Sequence, residues 1–168
     1  MAASTTKKVC IRRFDGRLIN GYVAPQTYLR AEGAEVLDRS AQVFVVPYSE
    51  IKAVYFVRDF DGEAISRQKK VFTSRPKKDG LWVRLTFRDG EVLEGILANN
   101  LLLVPEQGMT ITPPDPNASA QRVFVPREAL SEVTVLGVIG GAARHRRRKA
   151  AQPSEDQIEL FENRRSAP

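Results

Sequence analysis

A short pattern built on two glycines occurs twice in the chain. Asp15–Gly21 reads DGRLING and Asp89–Gly95 reads DGEVLEG, so the two glycines have the same separation in both copies. Further along, Val43–Val57 matches Arg122–Leu136, and a proline stands at the fifth position of each segment. Because the shared features follow one another in the same order, they predict an internal duplication. Any fold for this chain therefore has to accommodate two similar halves.

Each copy begins with a hairpin signal. Val83, Leu85 and Phe87 alternate with polar residues, as in a half-buried strand. The dipeptide that follows, Asp89-Gly90, predicts a two-residue type I′ turn, because such a turn requires positive φ and glycine adopts it without strain. Gly95 stands inside the returning strand, where a glycine is typical of a bulge or a sharp bend.

Each copy spans about 55 residues and contains five short strands by this pattern. The predicted fold is therefore all-β, with two tandem, strongly bent five-stranded barrels, since closure of a barrel removes exposed strand edges. Weak strands are expected over 28–30 and 36–38, a helical turn over 63–70, and a loop over 112–121. The predicted organisation is listed in chain order: a first barrel over 7–58, a basic linker over 59–80, a second barrel over 81–139, and a disordered basic tail over 140–168.

The net charge of +6 is concentrated outside the strand-rich segments. Residues 66–78 contain six basic residues and no acidic one, and residues 140–168 contain seven basic and four acidic residues. Such clusters neutralise phosphates and release counterions, so they are candidate nucleic-acid contacts. The candidates are Lys69, Lys70, Arg75, Lys77 and Lys78 in the linker and Arg144, Arg146, Arg147, Arg148 and Lys149 in the tail.

Two aromatic residues accompany the basic linker. Phe72 lies within it and Trp82 lies just after it, and either ring can stack on a nucleic-acid base. The alternative is that both rings pack in a core, and for Trp82 this alternative is favoured. For the tail, nucleic-acid binding and a purely solubilising role are equally compatible with the composition.

The sequence offers little for catalysis, a metal or a cofactor. The one histidine, His145, lies in a run of arginines where nothing positions it, and no Cys/His cluster is present. The one cysteine, Cys10, lies in a predicted strand, which favours a buried side chain and a reducing, cytoplasmic compartment. No apolar run reaches the length of about 18 residues needed to cross a membrane. We therefore expect a non-enzymatic protein without metal or cofactor.

Both copies resemble the Sm-like barrel of the Sm, LSm and Hfq RNA-binding proteins. Gly16/Gly21 and Gly90/Gly95 correspond to the first conserved segment of that family, and VPREALSEV, over 125–133, is similar to its second segment in Hfq. The resemblance implies a small SH3-like barrel and RNA binding. It also implies a contact by Arg127, which takes the place of the RNA-binding lysine of Hfq, whereas Glu128 takes the place of its histidine. Tandem barrels of this kind also resemble an uncharacterised family of bacterial proteins.

A second, more distant resemblance is to PilZ domains, which bind cyclic di-GMP. Arg13 and Arg17 fit the spacing of the arginine motif of that family, and Asp38-Arg39-Ser40 matches the start of its second motif. Val43 stands where the second motif ends in glycine. This resemblance implies a degenerate cyclic di-GMP binder as an outside alternative.

The tail contains a peptide that is similar to the motif by which bacterial replication and repair proteins bind the sliding clamp. In QIELF the matching residues are Gln157, Leu160 and Phe161. A flexible tail presents such a peptide well, and its two apolar side chains act as anchors in a pocket. The alternative is a transient turn or a strand that docks on the protein itself.

Two functional hypotheses follow. The first is a cytoplasmic accessory protein that binds RNA or DNA through its linker and tail and is recruited to a replication factor by the tail peptide. The second is a protein–protein adaptor or homo-oligomeric scaffold that assembles through the edge strands of the barrels.

Overall fold

The computed structural model describes residues 6–115 and 120–140. This part of the chain is all-β, as predicted, and its ten strands form one continuous antiparallel sheet. The strands are β1 (Lys7–Arg13), β2 (Leu18–Val23), β3 (Gly33–Leu37), β4 (Val43–Pro47), β5 (Ile51–Val57), β6 (Gly80–Phe87), β7 (Val92–Leu97), β8 (Gly108–Thr112), β9 (Ala120–Pro126) and β10 (Leu130–Ile139). A short helix, α1 (Gly62–Arg67), and two 3₁₀ turns complete the described elements. The order of the strands is β10-β6-β7-β8-β9-β5-β1-β2-β3-β4.

The first hairpin of each half closes with a three-residue loop. In β6–β7 the N–H of Phe87 donates to Glu91 O at 2.8 Å, and the N–H of Gly90 donates to Phe87 O at 2.9 Å. Gly90 has a φ of 85°, and Gly16 in the β1–β2 loop has a φ of 84°. The predicted type I′ turn is wrong, because Asp89 has no positive φ; only the glycine does. The geometry is that of a turn followed by a left-handed glycine bulge.

The two halves use the same strand order, 5-1-2-3-4 and 10-6-7-8-9. Gly21 pairs with Val9 in the first half, and Gly95 pairs with Val83 in the second. A Cβ on Gly95 would overlap the side chain of Ile111, which crosses over it from β8. The bend predicted at this glycine is therefore a site of close packing between strands.

A second pair of matched glycines lies on β3 and β8, and the sequence comparison did not detect it. Gly33 pairs with Pro47, and Gly108 pairs with Pro126. A Cβ on Gly108 would overlap the carbonyl oxygen of Val125, and Gly33 has the equivalent close approach. The two halves therefore repeat the same backbone contacts as well as the same strand order.

The two halves join where β5 pairs with β9, and we call this pairing the seam. Val54 lies opposite Phe124, and Tyr55 lies opposite Val123. Successive residues point to opposite faces, and here each face meets a core. Phe124 and Val54 belong to the core of the first half, whereas Tyr55 and Val123 belong to the core of the second half. Cys10 on β1 also reaches the second core, which confirms its predicted burial.

The linker begins with the predicted helix. The side chain of Asp61 accepts a hydrogen bond from the N–H of Ala64 at 3.0 Å and caps the first turn of α1. Ile65 buries its side chain in the second core. Beyond α1 the chain lies along β7, where the N–H of Glu94 donates to Lys70 O at 2.7 Å. The linker is therefore packed on the sheet at these points.

Two expected segments differ in extent from the structure. The weak strand expected over 28–30 is reduced to a single bridge between Leu29 and Ala34. The loop expected over 112–121 is shorter, because Thr112 ends β8 and β9 already begins at Ala120. The pairing of β9 with β5 accounts for the second difference, since Ala120 and Arg122 at the start of β9 pair with Val57 and Phe56 of the other half.

The close approach at Gly108 yields a stability prediction. Gly108→Ala places a methyl group against the carbonyl of Val125, so we expect a loss of about 2 kcal/mol in the free energy of unfolding. Gly137→Ala is the matched control, because a Cβ there meets no atom within 4 Å. We expect a change of less than about 0.5 kcal/mol for this control. Urea denaturation measures both, and equal effects would contradict the role of the close approach.

Candidate anion-binding surface

A buried lysine organises the charges at the centre of the sheet. Lys52 on β5 is 4 % exposed and forms ion pairs with Asp89 and Glu91 in the β6–β7 loop. Its ammonium also lies 5.7 Å from the ring centroid of Phe14 and 5.1 Å from that of Phe87. A lysine buried to this extent requires such partners. The cluster joins the two halves of the chain electrostatically.

Glu91 also accepts hydrogen bonds from two other cations. Arg12 Nη1 lies 3.2 Å from Oε1, and Lys70 Nζ lies 2.6 Å from the same atom. Burial alone would raise the pKa of Glu91, but the hydrogen bonds from Lys52 and Lys70 and the charge of Arg12 outweigh it and lower the pKa to about 2. Lys70, a predicted nucleic-acid contact, is thus engaged within the protein.

Glu94 on β7 is the second buried charge, at 2 % exposure. It accepts hydrogen bonds from Arg84 Nη2 at 2.8 Å, from the backbone N–H of Phe72 at 3.1 Å and from Trp82 Nε1 at 3.2 Å. Burial alone would raise the pKa of Glu94. These hydrogen bonds stabilise the carboxylate by more than burial destabilises it, so the pKa lies below its usual value. The linker is anchored here as well.

The core position favoured for Trp82 is wrong. The ring is half-buried, lies outside both hydrophobic cores, and packs edge-on against Phe72 with centroids 5.9 Å apart. The hydrogen bond from its indole to Glu94 explains this position, because a core site would leave the indole N–H without an acceptor. The aromatic pair therefore lies beside the basic linker.

The remaining linker cations fall into two groups. Lys78 Nζ donates to Thr112 Oγ1 at 2.7 Å. Lys69, Arg75 and Lys77 are exposed and take part in no ion pair with the residues that the structure describes. These three carry positive charge that is available to a ligand.

Arg127 lies in a different environment. It lines a shallow depression of about 540 Å³ together with Tyr48, Glu106 and Glu128. Tyr48 is the equivalent of Arg127 in the first half, so the structure brings the two matched positions together. The hydroxyl of Tyr48 donates to Arg30 O at 2.6 Å. Two carboxylates at this site weaken the attraction of Arg127 for an anion.

The residues that resemble the cyclic di-GMP motifs form local contacts. Arg13 Nη2 lies 2.6 Å from Glu50 Oε2. Asp38 Oδ1 accepts from the N–H of Gln42 at 2.9 Å and from that of Ser40 at 2.8 Å, and Asp38 Oδ2 accepts from the Ser40 hydroxyl at 2.8 Å. These hydrogen bonds lower the pKa of Asp38. The Asp38 motif is therefore accounted for by a turn.

A basic groove that the sequence did not reveal lies at one end of the seam. It has a volume of about 360 Å³ and collects side chains from four strands and one loop. We call it the seam groove and define it by Lys7, Lys8, Tyr28, Phe56, Gln121 and Arg122. Sequence reasoning passed over these residues because the pair Lys7-Lys8 and the single Arg122 lie far apart along the chain and belong to no long basic run.

The described part of the chain contains no cluster of three metal-ligating side chains. Burial raises the pKa of the Cys10 thiol to about 11, so this cysteine remains protonated at neutral pH. No helix within 6–115 or 120–140 is long and apolar enough to cross a membrane.

The predicted tail contacts lie outside the described residues. They are Arg144, Arg146, Arg147, Arg148 and Lys149 for nucleic acid and Gln157, Leu160 and Phe161 for the sliding clamp.

The fold defines an all-β protein built from two similar halves on one sheet. The chain belongs to DUF6982, a family of unknown function, whose family model matches residues 5–137. The match covers both halves and the linker. No curated protein and no solved structure matches the chain significantly.

The lowered pKa of Glu91 predicts a pH dependence of stability. A carboxylate with a folded-state pKa of about 2 contributes stability that is complete above its unfolded pKa of 4.5 and is lost as the pH falls towards 2. Glu91→Gln removes this contribution, so we expect a variant that is less stable at pH 7 and loses less stability between pH 4.5 and 2.

Urea denaturation at both ends of this pH range measures the effect. Glu32→Gln, an exposed change outside the cluster, is the control and retains the wild-type pH dependence. If Glu91→Gln kept the full wild-type loss as well, the ionic cluster would not be the source of the acid sensitivity.

Proposed function

We propose that this protein is a non-enzymatic, nucleic-acid-binding accessory protein that contacts RNA or DNA phosphates through its linker. The observation that supports this most directly is the exposure of Lys69, Arg75 and Lys77 without ion-pair partners among the described residues. Phosphate contacts by such side chains release counterions, and this release provides most of the affinity in sequence-independent binding.

The aromatic pair supports the same proposal. Phe72 and Trp82 are half-buried outside both cores, and they lie where the linker crosses β7. A base that stacks on an aromatic ring beside a phosphate-binding cation is a common arrangement in single-strand binding. The hydrogen bond from Trp82 to Glu94 holds its ring in place before binding.

A pair of matched double variants tests the linker. Arg75→Gln/Lys77→Gln and Arg17→Gln/Arg39→Gln each remove two exposed positive charges, but only the first pair lies on the linker. We expect the linker variant to bind a single-stranded oligonucleotide at least about tenfold more weakly at low salt. We also expect it to reduce the slope of log affinity against log salt by about 1.4, since each contact with a single strand contributes about 0.7. The control retains most of the binding.

Electrophoretic mobility shifts over a salt series provide the measurement. Absence of binding by the full-length protein at low salt would refute the proposed function. Equal losses in both double variants would show that net charge, and not the linker, drives binding. A truncation that ends at Gly140 measures how much of the binding affinity comes from the tail. Recruitment to a sliding clamp through Gln157, Leu160 and Phe161 remains a prediction.

A second candidate function is a homo-oligomeric scaffold, and the seam favours it. We infer that each half is a bent Sm-like barrel unit, an inference supported by the shared strand order and the two separate cores. The seam pairs the fourth strand of the second unit with the fifth strand of the first. The strands at the two ends of the sheet, β4 and β10, are the remaining fourth and fifth strands. One copy can therefore offer β4 to β10 of the next copy.

The exposed residues of these edges fit such a pairing. Val43 on β4 is 62 % exposed, and Val135 and Val138 on β10 are each 55 % exposed. Unpaired strands with apolar side chains are a ready template for a further strand. Because the two edges differ, the contact is head-to-tail and repeats from copy to copy.

Blocking each edge separately tests this assembly. We expect Val45→Lys on β4 and Val135→Lys on β10 each to abolish self-association, because a charge cannot be buried in the new seam. An equimolar mixture of the two variants still has one intact edge of each kind, so it forms a 1:1 dimer and nothing larger. Val71→Lys, an exposed valine on the linker, is the control. Light scattering after gel filtration gives the masses, and a monomeric wild type at high concentration would exclude the scaffold.

A further inference from the structure

We propose that the seam groove binds a nucleotide unit, with the phosphate held by Lys7 and Arg122 and the base placed on Phe56. Three strands bring these residues together. Phe56 on β5 lies directly opposite Arg122 on β9 and opposite Val9 on β1, and residues that face each other across a ladder share a face. Lys7 is two residues before Val9 and so lies on that same face.

A β-bulge in the seam adds a polar group to the groove. Phe56 pairs with Arg122, but the next residue of β5, Val57, pairs with Ala120, so Gln121 is left without a partner on β5. In a regular strand Gln121 and Arg122 would point to opposite faces. Here both line the groove, because a bulge redirects a side chain. The irregularity thus places an amide and a guanidinium at one site.

The charges at the groove are predominantly positive. Lys7 and Arg122 are exposed and form no ion pair with the described residues. Lys8 is partly neutralised, since its ammonium lies 3.3 Å from Asp59. Among the residues that the structure describes, no carboxylate lines the groove itself. An anion at this position therefore gains attraction from two unpaired cations and meets little repulsion.

A further cation lies at the margin of the groove. With the Gln121 amide oriented so that its oxygen faces Arg58, the oxygen accepts from Arg58 Nη2 at 2.6 Å and from Nε at 2.9 Å. This contact leaves the amide N–H₂ group of Gln121 available as a donor. Phosphate oxygens accept hydrogen bonds from both guanidinium and amide donors, so the polar side of the groove suits a phosphate group.

The aromatic side of the groove suits a planar group. Phe56 is half-buried and meets Tyr28 edge-on, with ring centroids 5.7 Å apart. Tyr28 is almost fully buried and fixes the orientation of the Phe56 ring. A base that stacks on such a ring contributes affinity irrespective of its sequence. The volume of about 360 Å³ lies in the usual range for small-ligand sites and accommodates one nucleotide.

The ligand has two sources, a free nucleotide or one unit of a nucleic-acid strand, and only the second source rests on the proposed function. The probes are adenosine monophosphate and a single-stranded oligonucleotide, titrated into the full chain at low salt and followed by ¹⁵N–¹H NMR shifts at residues of the groove. Adenosine without phosphate is the negative control, because it offers nothing to the two cations.

Arg122→Gln is the decisive variant, and Arg39→Gln is the matched control, since both remove one exposed arginine charge. We expect Arg122→Gln to weaken binding of at least one probe about tenfold, and Arg39→Gln less than about twofold. Phe56→Leu weakens binding as well, and its thermal unfolding curve shows whether the fold is kept. Unchanged affinity in Arg122→Gln, or no saturable binding of either probe, would overturn the proposal.

The outcomes also separate this site from the proposed function. If oligonucleotide binding falls in Arg75→Gln/Lys77→Gln but not in Arg122→Gln, the linker function stands and the seam groove is refuted. If the monophosphate binds through Arg122 and the oligonucleotide does not bind at all, the groove stands with a free nucleotide as its ligand and the nucleic-acid function falls.

Discussion

The pairing of β5 with β9 is the contact on which the rest of the molecule depends. Where Val54 and Tyr55 pair with Phe124 and Val123, both strands are buried on both faces. Phe124 from one half completes the core of the other half with Val54. A unit of about 55 residues buries too little apolar surface to be more than marginally stable by itself. Because β5 and β9 each contribute side chains to both cores, each half buries apolar surface of the other.

The seam also determines where charge can be placed. Lys52 lies on β5 and is buried because the β6–β7 loop closes over it with Asp89 and Glu91. The same loop receives Lys70, so the linker is held against the sheet while Arg75 and Lys77 remain exposed. At the end of the seam, the bulge at Gln121 opens the groove. The seam thus accounts for the buried ionic cluster, the path of the linker and the position of the groove.

The linker and the groove differ in how far the sequence could reveal them. Six basic residues within 66–78 form an obvious local cluster, although the structure assigns Lys70 and Lys78 to contacts within the protein. Lys7 and Arg122 are more than a hundred positions apart, and neither belongs to a long basic run. Their proximity requires β1, β5 and β9 to be adjacent, and Gln121 joins them only through a register shift. Local sequence patterns therefore cannot predict a site of this kind.

The sequence by itself determined the hairpins, the glycine positions within the returning strands and the internal duplication, because these are marked by local sequence patterns. A left-handed glycine must follow Asp15 and Asp89, and strand periodicity sets which residues are buried. Only the tertiary structure decided that β9 pairs with β5, that Cys10 and Phe124 pack in the core of the other half, and that Trp82 lies on Glu94. The physical reason is that these contacts join residues far apart in the chain, and many pairings satisfy the same alternation. The observed pairing of β5 with β9 is the one that buries apolar side chains on both faces of the sheet at once.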